Sequence, residues 1–308
     1  MSEKIKTFKK FALSSTISTY LLIFIGGLVR VSGAGLGCPD WPKCFGRWIP
    51  PLTRDHLPLE FNAATFNFTL AWIEYINRLA GMITGFLILI TAILAIKNFR
   101  KNKQILIPAI LAAVFVAFQG WYGSIVVKSQ LSPLAISIHM LIALIVVSLL
   151  IYLTYNAFHL ERSKSGRTSV IPRKFLLYIW IITIIQILIG TETRSKIEVL
   201  LDHFPLLMSQ EVLVRVGPVH NIHTLLGMVL AIGIGLVSIK ILKLKPLTDT
   251  LTQSVWIMNA LIILQIFIGF SLQIFGISPI LQVFHLWVGS LFIGVVLILY
   301  TELRYQQV

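Results

Sequence analysis

The stretch "SPLAISIHM" (132–140) returns as "SPILQVFHL" (278–286), with Ser, Pro and His each displaced by 146 residues. The same displacement carries Gln119 and Gly123 onto Gln265 and Gly269, and "NRLAGM" (77–82) onto "HTLLGM" (223–228). One ungapped displacement across three apolar segments marks an internal duplication. Nearer the N-terminus "IGGLVR" (25–30) matches "IGTETR" (189–194) at a displacement of 164, so the first loop is 18 residues longer than its counterpart.

The duplicated unit is apolar. The chain has 308 residues, 56% hydrophobic and only 12% charged, the composition of a polytopic membrane protein. Spanning a bilayer takes about 20 apolar residues. Eight stretches qualify: 11–29, 72–96, 105–127, 134–157, 175–191, 216–239, 253–274 and 279–301. The basic start "KIKTFKK" has no small-residue cleavage site after it, so the first stretch is expected to remain as a helix. Four helices per repeat give both halves the same orientation. The expected fold is therefore all-α, with eight transmembrane helices in two pseudo-symmetric four-helix bundles, residues 1–160 and 161–308.

A net charge of +14 raises the question of nucleic acid, but its distribution answers it. The N-terminus, the 97–103, 158–174 and 240–249 loops and the C-terminal tail hold 17 Lys/Arg against 4 Asp/Glu; the other segments hold 9 against 8. This positive-inside bias predicts a multi-pass protein with both termini cytoplasmic. Basic loops beside anionic lipid account for the charge, and no nucleic-acid partner is expected.

Both cysteines, Cys38 and Cys44, lie in the first outer loop. On an oxidising side they can close as a disulfide, either a structural staple or a pair that exchanges with a partner thiol. His56 and His203 also fall in outer loops, where water solvates them. Trp41, Trp48, Trp72 and Trp121 fit an interfacial belt.

Four histidines fall in the outer parts of helices: His139, His220, His223 and His285. Ionisable groups there are costly and mark function. His139 and His285 are repeat equivalents, and His223 stands where the first half has Asn77. Two imidazoles from facing helices are an axial pair for a b-type haem, whereas structural zinc wants four ligands. His220, one turn before His223, competes with it as a ligand. In the first half Glu74, Asn77 and Arg78 share one helix face at i, i+3 and i+4. Arg30 and Arg194 end matching segments, where they either bind propionates or snorkel to the interface. Gln119 and Gln265 join helices by hydrogen bonds.

"GGLVRVSGAGLGCPDWPKC" and "IEYINRLAG", together with His139, His223 and His285 in a duplicated chain, resemble the haem A synthase family over nearly the whole length. The resemblance implies oxidation of a methyl group of haem O to a formyl group, giving haem A for cytochrome oxidase assembly. It implies haem b between His223 and His285, and haem O as substrate in the first bundle. The family's Glu-x-x-His-Arg motif falls on Glu74, Asn77 and Arg78, with His139 as the remaining substrate-side histidine and Cys38 with Cys44 as the cysteine pair. It makes Glu74, Asn77 and His139 the catalytic candidates, Arg78, with Arg30 and Arg194, a candidate to bind haem propionates, and haem O synthase and oxidase assembly factors the candidate partners. It also implies a bacterial inner membrane. Asn77 departs from the family's histidine. The alternatives are a membrane cytochrome b, a haem-delivery factor without catalysis, and a thiol oxidoreductase using the cysteine pair.

Overall fold

A computed structural model of the chain describes residues 3–160, 170–244 and 247–305. Most of the basic join between the halves, 161–169, lies outside the described residues. So does part of the 240–249 loop, at 245 and 246.

Among the described residues the chain is helical, with helices α1 (Glu3–Val31), α2 (Phe68–Asn98), α3 (Lys103–Lys128), α4 (Pro133–Phe158), α5 (Val170–His203), α6 (Ser209–Val216), α7 (Pro218–Leu242), α8 (Asp249–Ile274) and α9 (Pro279–Glu302). Eight of these are long and apolar enough to cross a membrane; α6 is the exception. Polar residues at the turns set where helices start. The side chains of Asn67, Asn102, Ser132 and Thr248 accept backbone N–H groups at the starts of α2, α3, α4 and α8, satisfying donors the helix leaves free. Pro133, Pro218 and Pro279 occupy first-turn positions, where the missing N–H costs nothing.

The helices α1–α4 pack among themselves, as do α5, α7, α8 and α9, and the two sets meet where α9 touches α1 and α4 and where α4 touches α5. Small hydroxyls join neighbours inside the first set: Ser15 to Thr91 at 2.9 Å, Ser18 to Thr84 at 2.6 Å and Thr16 to Thr154 at 2.9 Å. Such bonds average about 0.6 kcal/mol in a bilayer. The seam between the sets is bonded along its length. Arg30 donates to Ser195 at 2.7 Å, Trp287 to the Tyr20 carbonyl at 3.0 Å and Arg304 to the Tyr152 hydroxyl at 2.8 Å.

Two apolar cores fill the end of the molecule that carries both termini. Phe8, Ile88, Ile105, Leu150 and Leu153 form one; Leu176, Ile234, Ile241, Leu251, Met258 and Phe292 form the other. The opposite end is where the polar side chains gather. There α5 runs on to His203, and the short α6 buries Val212 and Val216 against Ile197.

Candidate functional site

Asn77, His139, His223 and His285 each lie six to ten residues into their helices from the loop-bearing end, about 10–15 Å along the axis at 1.5 Å per residue. In the second half this brings His223 of α7 and His285 of α9 face to face. Their ring centroids are 6.2 Å apart, with the planes inclined by 65°. The ring opposite His285 is thus that of His223, and His220 lies one turn nearer the loop.

Each imidazole rests on a glycine of the next helix. A Cβ at Gly190 would stand 2.9 Å from His223 Cε1, and one at Gly269 would stand 3.2 Å from His285 Cε1. In the first half a Cβ at Gly123 would stand 3.9 Å from His139 Cε1, and one at Gly26 would stand 4.0 Å from the side-chain Oδ1 of Asn77. The four glycines sit at the positions that the two displacements equate, 123 with 269 and 26 with 190. Tyr122 stacks beside His139, centroids 6.3 Å apart.

These donors fit a haem iron. A ring nitrogen binds a first-row metal at about 2 Å, which sets two trans imidazole centroids about 6 Å apart. Among the described residues no three His, Cys, Asp or Glu side chains gather as a ligand set. A metal held by His223 and His285 therefore needs its other ligands from a prosthetic group. The Nδ1 atoms of His139, His223 and His285 are all buried without a partner, so these rings are not consumed in hydrogen bonds between helices.

The polar face of α2 is turned onto the first loop. The buried Glu74 carboxylate accepts the Cys38 N–H through Oε2 at 2.7 Å and pairs through Oε1 with the Arg78 guanidinium. Arg78 also donates to the carbonyls of Asp40 and Lys43, 2.8 Å each. Cys38 and Cys44 are bonded as a disulfide with Cα atoms 4.7 Å apart, sealed under Phe45 and Phe66. Asp40 completes the loop by accepting the N–H groups of Phe45 and Gly46 at 2.6 and 2.9 Å. Gly37 presses so closely on the Leu70 carbonyl that no Cβ would fit there.

Arg30 crosses to the other half, bonding the Thr191 carbonyl at 3.3 Å and Ser195, with Glu198 4.0 Å away. Arg194 flanks the same Glu198 at 3.8 Å. The Nε of each arginine is buried without a partner, leaving a donor free on both.

One residue escapes the sequence reading. Gln186 of α5 donates to the His223 carbonyl at 2.7 Å, as Gln119 does to His139 and Gln265 to His285, both at 2.9 Å. Its counterpart at the 164-residue displacement is Leu22, so the repeat alone does not flag it.

A family model described as "Cytochrome oxidase assembly protein", COX15-CtaA, matches residues 9–297. Among curated proteins the chain is 27% identical to one named Heme A synthase from Halalkalibacterium halodurans, over 97% of this chain and 96% of that protein. It is 32% identical to a Heme A synthase from Shewanella oneidensis over 58% of this chain, and 28% identical to one from Geobacillus kaustophilus over 58%. In those two alignments the chain spans about half the length of the relatives, 54% and 52%.

Proposed function

The chain belongs to the COX15-CtaA family of cytochrome oxidase assembly proteins, and on that premise we propose that it is a haem A synthase, oxidising a methyl group of haem O to a formyl group. The observation that carries this reading is the His223–His285 pair at 6.2 Å, with a related site in the other half that keeps one histidine and replaces its partner by Asn77. Asymmetry of that kind suits a resident haem b on one side and a substrate porphyrin on the other.

At the carbon, two successive hydroxylations take the methyl group through an alcohol to a gem-diol. The diol sheds water to leave the formyl group, a net four-electron oxidation whose electrons pass to an acceptor outside the chain. Haem b, held by His223 and His285, supplies one-electron redox chemistry when bound. His139 anchors the substrate from one side, and the Asn77 amide faces the other. We assign Glu74, paired with Arg78, to managing protons or steadying positive charge developing near the reacting carbon. Because Arg78 is occupied by loop carbonyls, we assign it to holding the loop. Propionates are assigned to Arg30 and Arg194, whose free Nε–H groups support an anionic partner.

In this reading residues 1–160 form the substrate bundle and 161–308 the haem b bundle, related by pseudo-symmetry. The protein is placed in a bacterial inner membrane with both termini cytoplasmic, as the Lys/Arg bias supports. Haem O synthase and oxidase assembly factors are its proposed partners.

The deciding experiment is pigment extraction after co-expression with a haem O supply. A haem A peak is expected. Haem b alone, with haem O unconverted, would favour the second reading, a haem-delivery factor, which the Asn77 replacement supports.

A further inference from the structure

The three glutamines do more than tie helices together. A carbonyl accepts only from the NH2 end of an amide, so the bonds to the His139, His223 and His285 carbonyls fix how each glutamine is turned. That leaves the Oε1 atoms of Gln119, Gln186 and Gln265 buried without a donor, while Nδ1 of the same three histidines is buried without a partner. An orphaned acceptor thus accompanies an orphaned ring nitrogen at each of the three sites, held to one residue by the carbonyl bond. Unpaired buried polar groups are costly and rarely left so. When Nε2 of an imidazole binds a metal, Nδ1 becomes a donor, and an acceptor there sets the ring's tautomer, orientation and basicity.

At the fourth position the unit is missing as a whole. Asn77 replaces the histidine and Leu22 replaces the glutamine, yet the surrounding glycines remain. Gly227 and Gly289, one turn after His223 and His285, make room for the Gln186 and Gln265 amides, at 3.3 and 3.4 Å from a built Cβ. Gly81, one turn after Asn77, faces nothing within 4 Å.

Resting on the haem reading above, we infer that Gln119, Gln186 and Gln265 are positioning residues. Gln119 and Gln265 accept the Nδ1–H of the histidine whose carbonyl they hold, directly or across one water, and so turn Nε2 toward the iron. At His223 the Gln186 main-chain carbonyl also lies on the ring and shares that role with the side chain. Asn77 with Leu22 is the same unit removed. A glutamine acting only as a helix tie would leave the iron's electronic state untouched; an acceptor at Nδ1 does not.

The test uses the full chain purified with its haem. Gln265→Leu is expected to raise the haem midpoint potential, alter the low-spin EPR signal and weaken haem binding about 10-fold or more. Gln186→Leu, which leaves its main-chain carbonyl on the His223 ring, is expected to do the same to a smaller extent. Retained haem with a wild-type potential and EPR signal would overturn the inference. Should both variants fail to fold, the unit is installed instead: Asn77→His alone against Asn77→His with Leu22→Gln. Only the double variant is expected to give a uniform bis-histidine signal in the first half, and the same signal from the single variant would overturn the glutamine's role. A wild-type chain showing no bis-histidine signal at all would remove the haem reading, and this inference with it.

Discussion

The Glu74 carboxylate on α2 accepts the backbone N–H of Cys38 at 2.7 Å, across 36 residues of sequence. The bond joins the membrane-spanning part of the first half to the buried first stretch of its outer loop, and Arg78 doubles it by reaching the carbonyls of Asp40 and Lys43. An acidic and a basic residue at i and i+4 would ordinarily stabilise a helix surface by a few tenths of a kcal/mol. Here both are largely buried, with side-chain exposures of 5% and 14%. Removing one partner therefore strands the other.

Glu74→Ala is expected to abolish haem A production while haem b stays bound. It should also lower stability by about 3–5 kcal/mol, the cost of breaking a buried pair, and open residues 38–66 to protease. Pigment analysis and limited proteolysis check the two effects separately. Full haem A production in this variant would take Glu74 out of the chemistry.

His223→Ala and His285→Ala are each expected to remove the low-spin haem spectrum. His139→Ala should leave that spectrum in place and stop haem O conversion. Optical spectra of the purified variants, beside pigment extracts, read both outcomes.

The glycine cradles predict a graded series. Gly→Ala in a helix interior ordinarily stabilises by up to about 1 kcal/mol, so loss of haem cannot be laid to the helix. Gly190→Ala should disturb haem binding most, since its Cβ would lie 2.9 Å from the His223 ring. Gly269→Ala, at 3.2 Å, should disturb it less, and Gly123→Ala, at 3.9 Å, should be tolerated. Haem content per mole of protein tests the order; equal effects at all three positions would contradict it.

The Cys38–Cys44 disulfide closes a short loop and on chain-entropy grounds contributes about 2 kcal/mol. Replacing both cysteines by serine should lower Tm accordingly, with the loop around residues 38–66 the first to become protease-sensitive. An unchanged Tm would mean that the contacts of Glu74, Arg78 and Asp40 hold the loop by themselves.

Much of this was legible in the residues. Eight apolar stretches became eight spans, because membrane helices are set by hydropathy length alone. The facing of His223 and His285 followed from the repeat, which places equivalent residues at equivalent depths. Helix α6 falls between the apolar stretches 175–191 and 216–239; its eight residues set Val212 and Val216 on one face against Gln210, Glu211 and Arg215, and are too short and too polar to stand out by hydropathy length. The engagement of Glu74 and Arg78 was hidden for a different reason. Their spacing named the face, but what the face touches depends on how a Gly- and Pro-rich loop folds back over 36 residues. Gln186 was missed because its repeat partner is Leu22, while the glycine cradles stood in view as Gly26, Gly123, Gly190 and Gly269 within the matched motifs.

The seam from Arg30–Ser195 through Trp287–Tyr20 to Arg304–Tyr152 has a bearing on traffic. Hydrogen bonds at both ends and at mid-depth tie the halves together, so a porphyrin passing between them would have to break these contacts. The outward flank of α2, where Ile76, Leu79, Met82 and Ile83 are exposed, breaks no such contact and is a lipid-facing route to test. An engineered cross-link between α1 and α9 should then leave turnover intact, whereas bulk added along that flank should slow loading.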